Sequence, residues 1–319
     1  MTRTLESKLA PFIEGLIAEK RACGYDFSLY ASHLYRFDSF TVKNRFDNGS
    51  LDEPLVSAWT VRLDTENQNS RNSRVRAVCE LADYMESLGH VVFRPYKLGK
   101  VERSTPCIPS KEELGKLFAF IDLSKSQNKE FGRFDIEYPM LARLYYHCGL
   151  RLSEAVMLKR TDVDFSHGTL YVRHSKGDKD RLVFPSDDFM ARLAQYDVQM
   201  DSDYIRGRQW FFPGFFIDKP FTKTTIDRKF KDWWMGAFPQ WEGRRPTVQS
   251  LRHAFVVHRM DDWVSQGNEL KDIMPYLSRY LGHSGIEQTM YYYHQLDARS
   301  KAVRLILEDC CPVVKGVDL

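Results

Sequence analysis

The chain has 319 residues, 43% of them hydrophobic and 28% charged, enough for one large domain or two modest ones with real cores. Lys and Arg total 46 against 43 Asp and Glu, a formal charge of +3 that excludes a polycationic packaging protein. A nucleic-acid partner therefore has to be argued from where the charges fall.

No apolar run approaches the roughly 18 residues of a membrane span, and the N-terminus lacks the apolar core of a signal peptide. The expectation is a cytoplasmic protein with no membrane partner. Six cysteines (Cys23, Cys79, Cys107, Cys148, Cys310, Cys311) show no C-x-x-C pairing and no regular spacing. They read as reduced thiols, mostly buried, and argue against structural zinc. A Walker loop, a G-x-G-x-x-G and an H-E-x-x-H are all missing, so no cofactor and no metal is expected.

In chain order, Leu9, Phe12, Ile13, Leu16 and Ile17 recur at helical spacing, with Gly24 after the polar end. A polar stretch, Asn67 to Asn69, precedes a helix expected from Ser70 to Gly89. Val75, Val78, Ala82, Met85 and Leu88 form its apolar stripe, and Arg71, Arg74 and Arg76 point largely elsewhere. Residues 1–93 read as a small all-helical domain. Arg94 to Arg103 then brings four basic residues and one acid with no helical stripe, including Arg94, Lys97 and Lys100. We read 94–108 as a linker. Its charge suits a solvated connector and a strap on a phosphate backbone about equally.

The second domain, 109–319, opens with Ser110 and Glu113 spaced as a capping box. It is helical except for strands expected at Thr169–Val172 and Leu182–Phe184, a hairpin around the turn-rich HSKGDKD. The fold class is mainly α with a small antiparallel β element.

Four segments of this domain carry chemistry. In CGLRLSEAVMLKRTDVDF, Gly149 is placed to end a helix, Ser153 to cap the next, and Arg151 falls between them, a position suited to an anion. Glu154 lies within one turn and can orient the guanidinium; taken alone, the segment fits a structural Arg–Glu pair better. The hairpin tip carries Lys176, Lys179 and Arg181, suited to proton donation or simply to solvent. In PTVQSLRHAFVVHRM, Arg252 and His253 are placed in the first turn of a helix, against its dipole, which an anion there would explain. In YLGHSGIEQTMYYYHQ, Gly282 ends a helix, and Ser284 with Glu287 caps one that carries Tyr291, Tyr292 and Tyr293. Successive residues differ by about 100° around a helix, so only one of these tyrosines faces any given point.

Together these segments resemble the tyrosine recombinase (phage integrase) family. G-L-R-x-S-E, K-G-x-K-x-R, L-R-H, and L-G-H followed nine residues later by Tyr stand in order from Gly149 to Tyr292. The helical first half and basic linker resemble the family's core-binding half, which implies a two-domain clamp around DNA. The resemblance implies a site-specific DNA recombinase that cuts and rejoins DNA through a 3′-phosphotyrosyl link, acting as a homo-tetramer on a double-stranded recombination site. It makes Arg151 and Arg252 the phosphate-binding arginines, Glu154 the support of the first, Lys176 the acid for the leaving 5′ oxygen, His283 a phosphate contact and Tyr292 the nucleophile. Arg71, Arg74, Arg76, Arg94, Lys97, Lys100, Lys179 and Arg181 are the expected DNA-facing charges.

The sequence departs from the family at Gln249, where a histidine usually stands three residues before the second arginine. Glutamine donates a hydrogen bond to a phosphoryl oxygen but shuttles no proton near neutral pH. His253, adjacent to Arg252, should point about 100° away. Three rivals follow: a DNA-binding relative with impaired cleavage, a topoisomerase-like relaxing enzyme of type IB, and a metal-dependent transposase using Asp162 and Asp164. The C-terminal stripe Val303, Ile306 and Leu307 fits docking on a neighbouring protomer and packing on its own domain equally.

Overall fold

The computed structural model describes residues 4–94, 98–101, 106–126, 132–175, 179–283 and 285–290. The chain divides into two compact units, Met1–Thr105 and Pro106–Leu319. Among the described residues no helix is long and apolar enough to cross a membrane.

Among the described residues the first unit holds four helices, α1 (Ala10–Ala22), α2 (Ser28–Lys43), α3 (Glu53–Thr60) and α4 (Gln68–Ser87). The stripe of α1 is buried at Ile13, Leu16 and Ile17, and it shares a core with Leu34, Phe37, Leu55, Val78, Leu81 and Met85. The helix expected from Ser70 begins two residues earlier, because the Asn67 side chain accepts the Ser70 N–H at 2.8 Å and caps it. The polar stretch Asn67 to Asn69 is thus the cap and the start of the first turn. Leu88, expected in the stripe, lies past the end of α4 and is exposed.

In the second unit come α5 (Lys111–Leu123), α6 (Phe134–Cys148), the short α7 (Leu152–Val156) and a 3-10 turn at Arg160–Asp162. Strands β1 (Val163–Asp164), β2 (Thr169–Ser175) and β3 (Lys179–Val183) follow, then α8 (Asp187–Asp203), α9 (Lys223–Ala237), α10 (Val248–Ser265) and α11 (Leu270–Leu281). The Ser110–Glu113 capping box forms in both directions, at 3.1 and 2.7 Å. Helix α6 packs on α5, α8 and α10, around a core that includes Leu117, Leu144, Tyr145, Phe211, Trp234 and Leu251. A second apolar cluster joins Phe255, Val256 and Met260 of α10 to Met274, Leu277 and Leu281 of α11.

The sheet is antiparallel in the order β1-β2-β3, with Val163 opposite Leu170 and Leu170 opposite Val183. The register slips by one residue between Val172, opposite Arg181, and Ser175, opposite Lys179. The hairpin expected from the sequence is present with longer strands, while Phe184 falls outside β3 and is exposed. Strand β1 was not expected: two residues are too few for an alternation to register. Of the described cysteines only Cys148 is buried; Cys23 is exposed, and Cys79 and Cys107 are half-buried.

Candidate active site

One guanidinium bridges the ends of two helices. Arg252 of α10, 1% exposed, donates to the Gly149 carbonyl at 2.6 Å and to the Leu281 carbonyl at 2.8 Å. These oxygens lie at the C-termini of α6 and α11, where carbonyls lack helical partners and the helix dipole is negative. Both helices stop on a left-handed glycine, Gly149 (φ 58°) and Gly282 (φ 66°). At Gly149 a Cβ would also stand 2.5 Å from the Phe255 ring, so only glycine lets α6 end this close to α10.

The end of α11 gathers two more arginines. Arg181 of β3 donates to the Tyr280 carbonyl at 2.8 Å, and Arg151 donates to the Gly282 carbonyl at 3.1 Å. All three surround Glu154 of α7, whose side chain is 3% exposed. Arg181 grips both of its oxygens at 2.9 and 2.8 Å, Arg151 bonds it at 2.7 Å, and Arg252 stands 3.9 Å away. The same carboxylate accepts the Arg151 backbone N–H at 2.8 Å, so Arg151 itself opens α7 and the expected cap, Ser153, lies inside the helix. Burial raises the Glu154 carboxyl, but bonds from Arg181 and Arg151 outweigh it and bring it down to about 2. Three guanidiniums around one carboxylate leave two positive charges in excess. A phosphodiester is the ligand class this excess suits.

His283 completes the cluster. Its Nε2 stands 3.1 Å from Arg252 Nη2, and its Nδ1 stands 2.7 Å from Oγ1 of the buried Thr289. A guanidinium only donates, so Nε2 accepts and Nδ1 carries the proton given to Thr289. Burial, then the charges of Arg252, Arg151 and Arg181, lower this imidazole to about 4. His283 is therefore neutral at neutral pH.

Residues 111–299 match the phage integrase family. The chain belongs to this family of site-specific tyrosine recombinases. It is 26% identical over 292 residues to the putative integrase/recombinase y4rE of Sinorhizobium fredii, covering 88% of this chain and 89% of that protein. Against y4eF of the same organism it is 33% identical over 161 residues, 50% of this chain and 57% of that one, so it spans little more than half of that relative. The Tn1549 transposon integrase, solved with transposon right-end DNA, shares the fold at a TM-score of 0.65 and 14% identity, over 93% of this chain and 98% of that one.

The recombinase brings Arg151, Glu154, Arg252 and His283 together. Arg252 sits in the second turn of α10, so its charge serves the carbonyl ends of α6 and α11 and does not oppose its own helix's dipole. Gln249, one turn earlier, is half-buried and lines a separate cleft beside the cluster. His253 is lowered to about 4 by burial and the Arg252 charge. Lys176, Tyr292 with both neighbouring tyrosines, Ser284, Lys97 and the 303–307 stripe lie outside the described residues. Lys179 opens β3.

Several charges expected to face DNA do other work. Arg74 is 2% exposed, lies over the Trp59 ring at 4.6 Å, and bonds Glu66 and the carbonyls of Trp59 and Val61. It is a core residue of the recombinase, on the face of α4 that packs against Trp59 of α3. Arg181 likewise holds Glu154 and α11 and is 10% exposed. Arg71 donates to the Thr60 carbonyl at 2.7 Å and is half-buried, and Arg94 pairs with Asp83 and Glu86 of α4. Arg76 and Lys100 are exposed. Asp162 and Asp164, the acids of the transposase rival, are held apart in separate local networks. Asp162 accepts from Arg173, and Asp164 from Ser166 and His167.

Sequence reasoning missed three functional contacts. Arg181 reads in the sequence as hairpin charge, and nothing local marks its grip on Glu154 and the Tyr280 carbonyl. Thr289 as the partner of His283 left no signal. Nor did Asn72, whose buried amide exchanges two hydrogen bonds with Gly99 at 2.8 and 3.0 Å and pins the basic stretch to α4.

Proposed function

We propose that this recombinase cuts and rejoins a double-stranded DNA site by in-line attack of Tyr292 on a phosphodiester, leaving a 3′-phosphotyrosyl link and a free 5′ hydroxyl. The observation that carries the reading is the cluster of Arg151, Arg181 and Arg252 around Glu154, with an excess of two positive charges and His283 beside it. In the reaction, negative charge grows on the phosphoryl oxygens as the tyrosine oxygen adds and the 5′ oxygen departs. Arg151 and Arg252 are the donors for those oxygens. Arg252 and His283 exchange their mutual bond for bonds to the phosphate when it arrives. Gln249 donates a further hydrogen bond, and Lys176 gives its proton to the 5′ oxygen. A 5′ hydroxyl of the partner strand then attacks the phosphotyrosine, and the stored bond is re-formed without nucleotide hydrolysis.

Residues 1–93 serve as the core-binding domain, 94–108 as the linker and 109–319 as the catalytic domain, closing on DNA as a clamp. Exchange needs two duplexes cut on two strands each, hence four protomers. The sequence departure at Gln249 favours a second reading, a relative that binds DNA without cutting it. One assay separates them. A nicked duplex built from the inverted repeats flanking the gene is incubated with protein and resolved under denaturing conditions. A covalent adduct lost in Tyr292→Phe and retained in Tyr291→Phe and Tyr293→Phe supports the cutting enzyme; binding with no adduct in the wild type supports the second reading.

A further inference from the structure

His283 is held through both its ring and its backbone. Nε2 stands 3.1 Å from Arg252 Nη2, Nδ1 stands 2.7 Å from Thr289 Oγ1, and the backbone N–H donates to the Ser278 carbonyl at 3.0 Å. Thr289 is fully buried, in a turn where its own N–H and that of Met290 donate to the Ile286 carbonyl, at 2.9 and 2.8 Å. The Ser278 hydroxyl donates to the Gly285 carbonyl at 3.3 Å and ties that turn to α11. The Thr289 hydroxyl is thereby set against Nδ1.

The other edge of the ring meets opposite demands. Arg252 is a donor, so Nε2 accepts from it and the ring proton sits on Nδ1. A phosphoryl oxygen is an acceptor, so Nε2 bonds it only with a proton of its own. An imidazolium would add a positive charge where burial and the charges of Arg252, Arg151 and Arg181 already hold the ring neutral. A phosphodiester brings one negative charge against the cluster's excess of two, so these surroundings stay positive once it is bound. The other neutral tautomer adds no charge, but it needs a donor at Nδ1. A hydroxyl both accepts and donates, whereas a carbonyl or carboxylate there would only accept and lock the proton on Nδ1.

We infer that Thr289 is a positioning residue whose hydroxyl carries His283 between two neutral tautomers as the phosphate arrives. In the free protein Nδ1–H donates to Thr289 Oγ1 and Nε2 accepts from Arg252. With the phosphodiester in place, Arg252 turns to a phosphoryl oxygen, the Thr289 hydroxyl rotates to donate to Nδ1, and Nε2–H donates to the phosphate. The half-buried ring gives up one proton to water at Nδ1 and takes one from water at Nε2, so its charge does not change. Thr289 touches no reacting atom and acts through the ring alone.

The inference rests on the recombinase reading above, and the test separates the two because the ring proton is read without catalysis. The full chain carrying ¹⁵N-labelled histidine is observed by NMR, with His283→Gln assigning the ring. Free wild type and Thr289→Ser are expected to show one state, with the proton on Nδ1. Thr289→Val is expected to lose that single state, because a buried N–H without an acceptor is costly. Bound to the nicked duplex described above, Tyr292→Phe protein is expected to carry the ring proton on Nε2 alone. Adduct formation should slow roughly tenfold in Thr289→Val, the worth of one hydrogen bond, and recover in Thr289→Ser. The wild-type ring state in a folded Thr289→Val, or a wild-type adduct rate, overturns the assignment. So does a ring protonated on both nitrogens, or still on Nδ1, with the duplex bound. Thermal melting checks folding; Thr289→Ala replaces a Thr289→Val that does not fold, and if neither folds the duplex-bound spectrum decides. A wild type that binds the duplex and forms no adduct overturns the cutting enzyme instead, while the ring spectra still decide the part played by Thr289.

Discussion

Arg181 holds both carboxylate oxygens of Glu154, at 2.9 and 2.8 Å, while its Nε bonds the Tyr280 carbonyl at the end of α11. One side chain from the hairpin thus fixes the acid that orients Arg151 and the helix end that holds Arg252. Strand β3 of the hairpin and the helix ends that hold Arg151 and Arg252 are parts of one charge network.

Removing Arg181 should therefore cost stability and activity together. Arg181→Ala leaves Glu154 buried without the Arg181 fork, and truncating one partner of a buried pair typically costs about 3–5 kcal/mol. Urea unfolding should show that loss. Arg181→Lys should recover only part of it, because an ammonium cannot match the two oxygens as a fork does. Near-wild-type stability in Arg181→Ala would show that the network is held elsewhere.

The acid limb of stability follows from the same carboxylate. Glu154 is brought from 4.5 to about 2 in the folded protein, so its contribution is fully present above pH 4.5 and is lost as pH falls through about 2. The shift corresponds to about 3 kcal/mol. The histidines act at higher pH. His147, His253 and His283 are each lowered from 6.5 to about 4 by burial and neighbouring arginine charge. The unfolded chain takes up protons that the folded one refuses, so stability falls as pH drops from about 6.5 to 4. His147→Phe, which keeps the stacking on Phe189, should flatten the slope of unfolding free energy against pH in that window and leave the lower one alone. An unchanged slope would mean that His147 titrates normally.

How legible was this in the sequence? Helical periodicity placed α1 and most of α4, because a buried stripe repeats over several turns and survives an error of two residues at an end. The capping box at Ser110 and the stops at Gly149 and Gly282 were legible because caps are local chemistry. The motifs placed Arg151, Glu154, Arg252 and His283, and the fold brings them within bonding reach of one another. What was not legible depended on partners far along the chain. Arg74 looks like any surface arginine until Trp59 and Glu66 are folded under it. Arg181 and Arg252 looked like ligand-facing charge, while the acceptors that hold them, carbonyls at the ends of α6 and α11, have no side-chain signature.

Arg74 and Arg76 should separate core from DNA contact. Arg74→Ala removes a buried guanidinium from Glu66 and the Trp59 face, and should lower stability by about 3–5 kcal/mol with no specific change in the salt dependence of DNA binding. Arg76→Gln should leave stability within about 0.5 kcal/mol and flatten that salt slope by about 0.9. Melting curves and binding isotherms on the same preparations decide. A flattened slope in a stably folded Arg74→Ala would put its charge back on the DNA.

The proton donor is the part of the mechanism most open to a chemical test. A 5′ alkoxide is a poor leaving group, and general acid catalysis typically contributes roughly 10² to 10⁴ in rate. Lys176→Ala should slow formation of the phosphotyrosyl adduct by that order and leave DNA binding near wild type, since one hairpin charge contributes little to total affinity. Replacing the bridging 5′ oxygen by sulfur provides a leaving group that departs without a proton. On that substrate the variant should approach the wild-type rate, while Arg151→Ala, which removes charge stabilisation, should stay slow. Lys176→Ala equally slow on both substrates would remove it from the acid role.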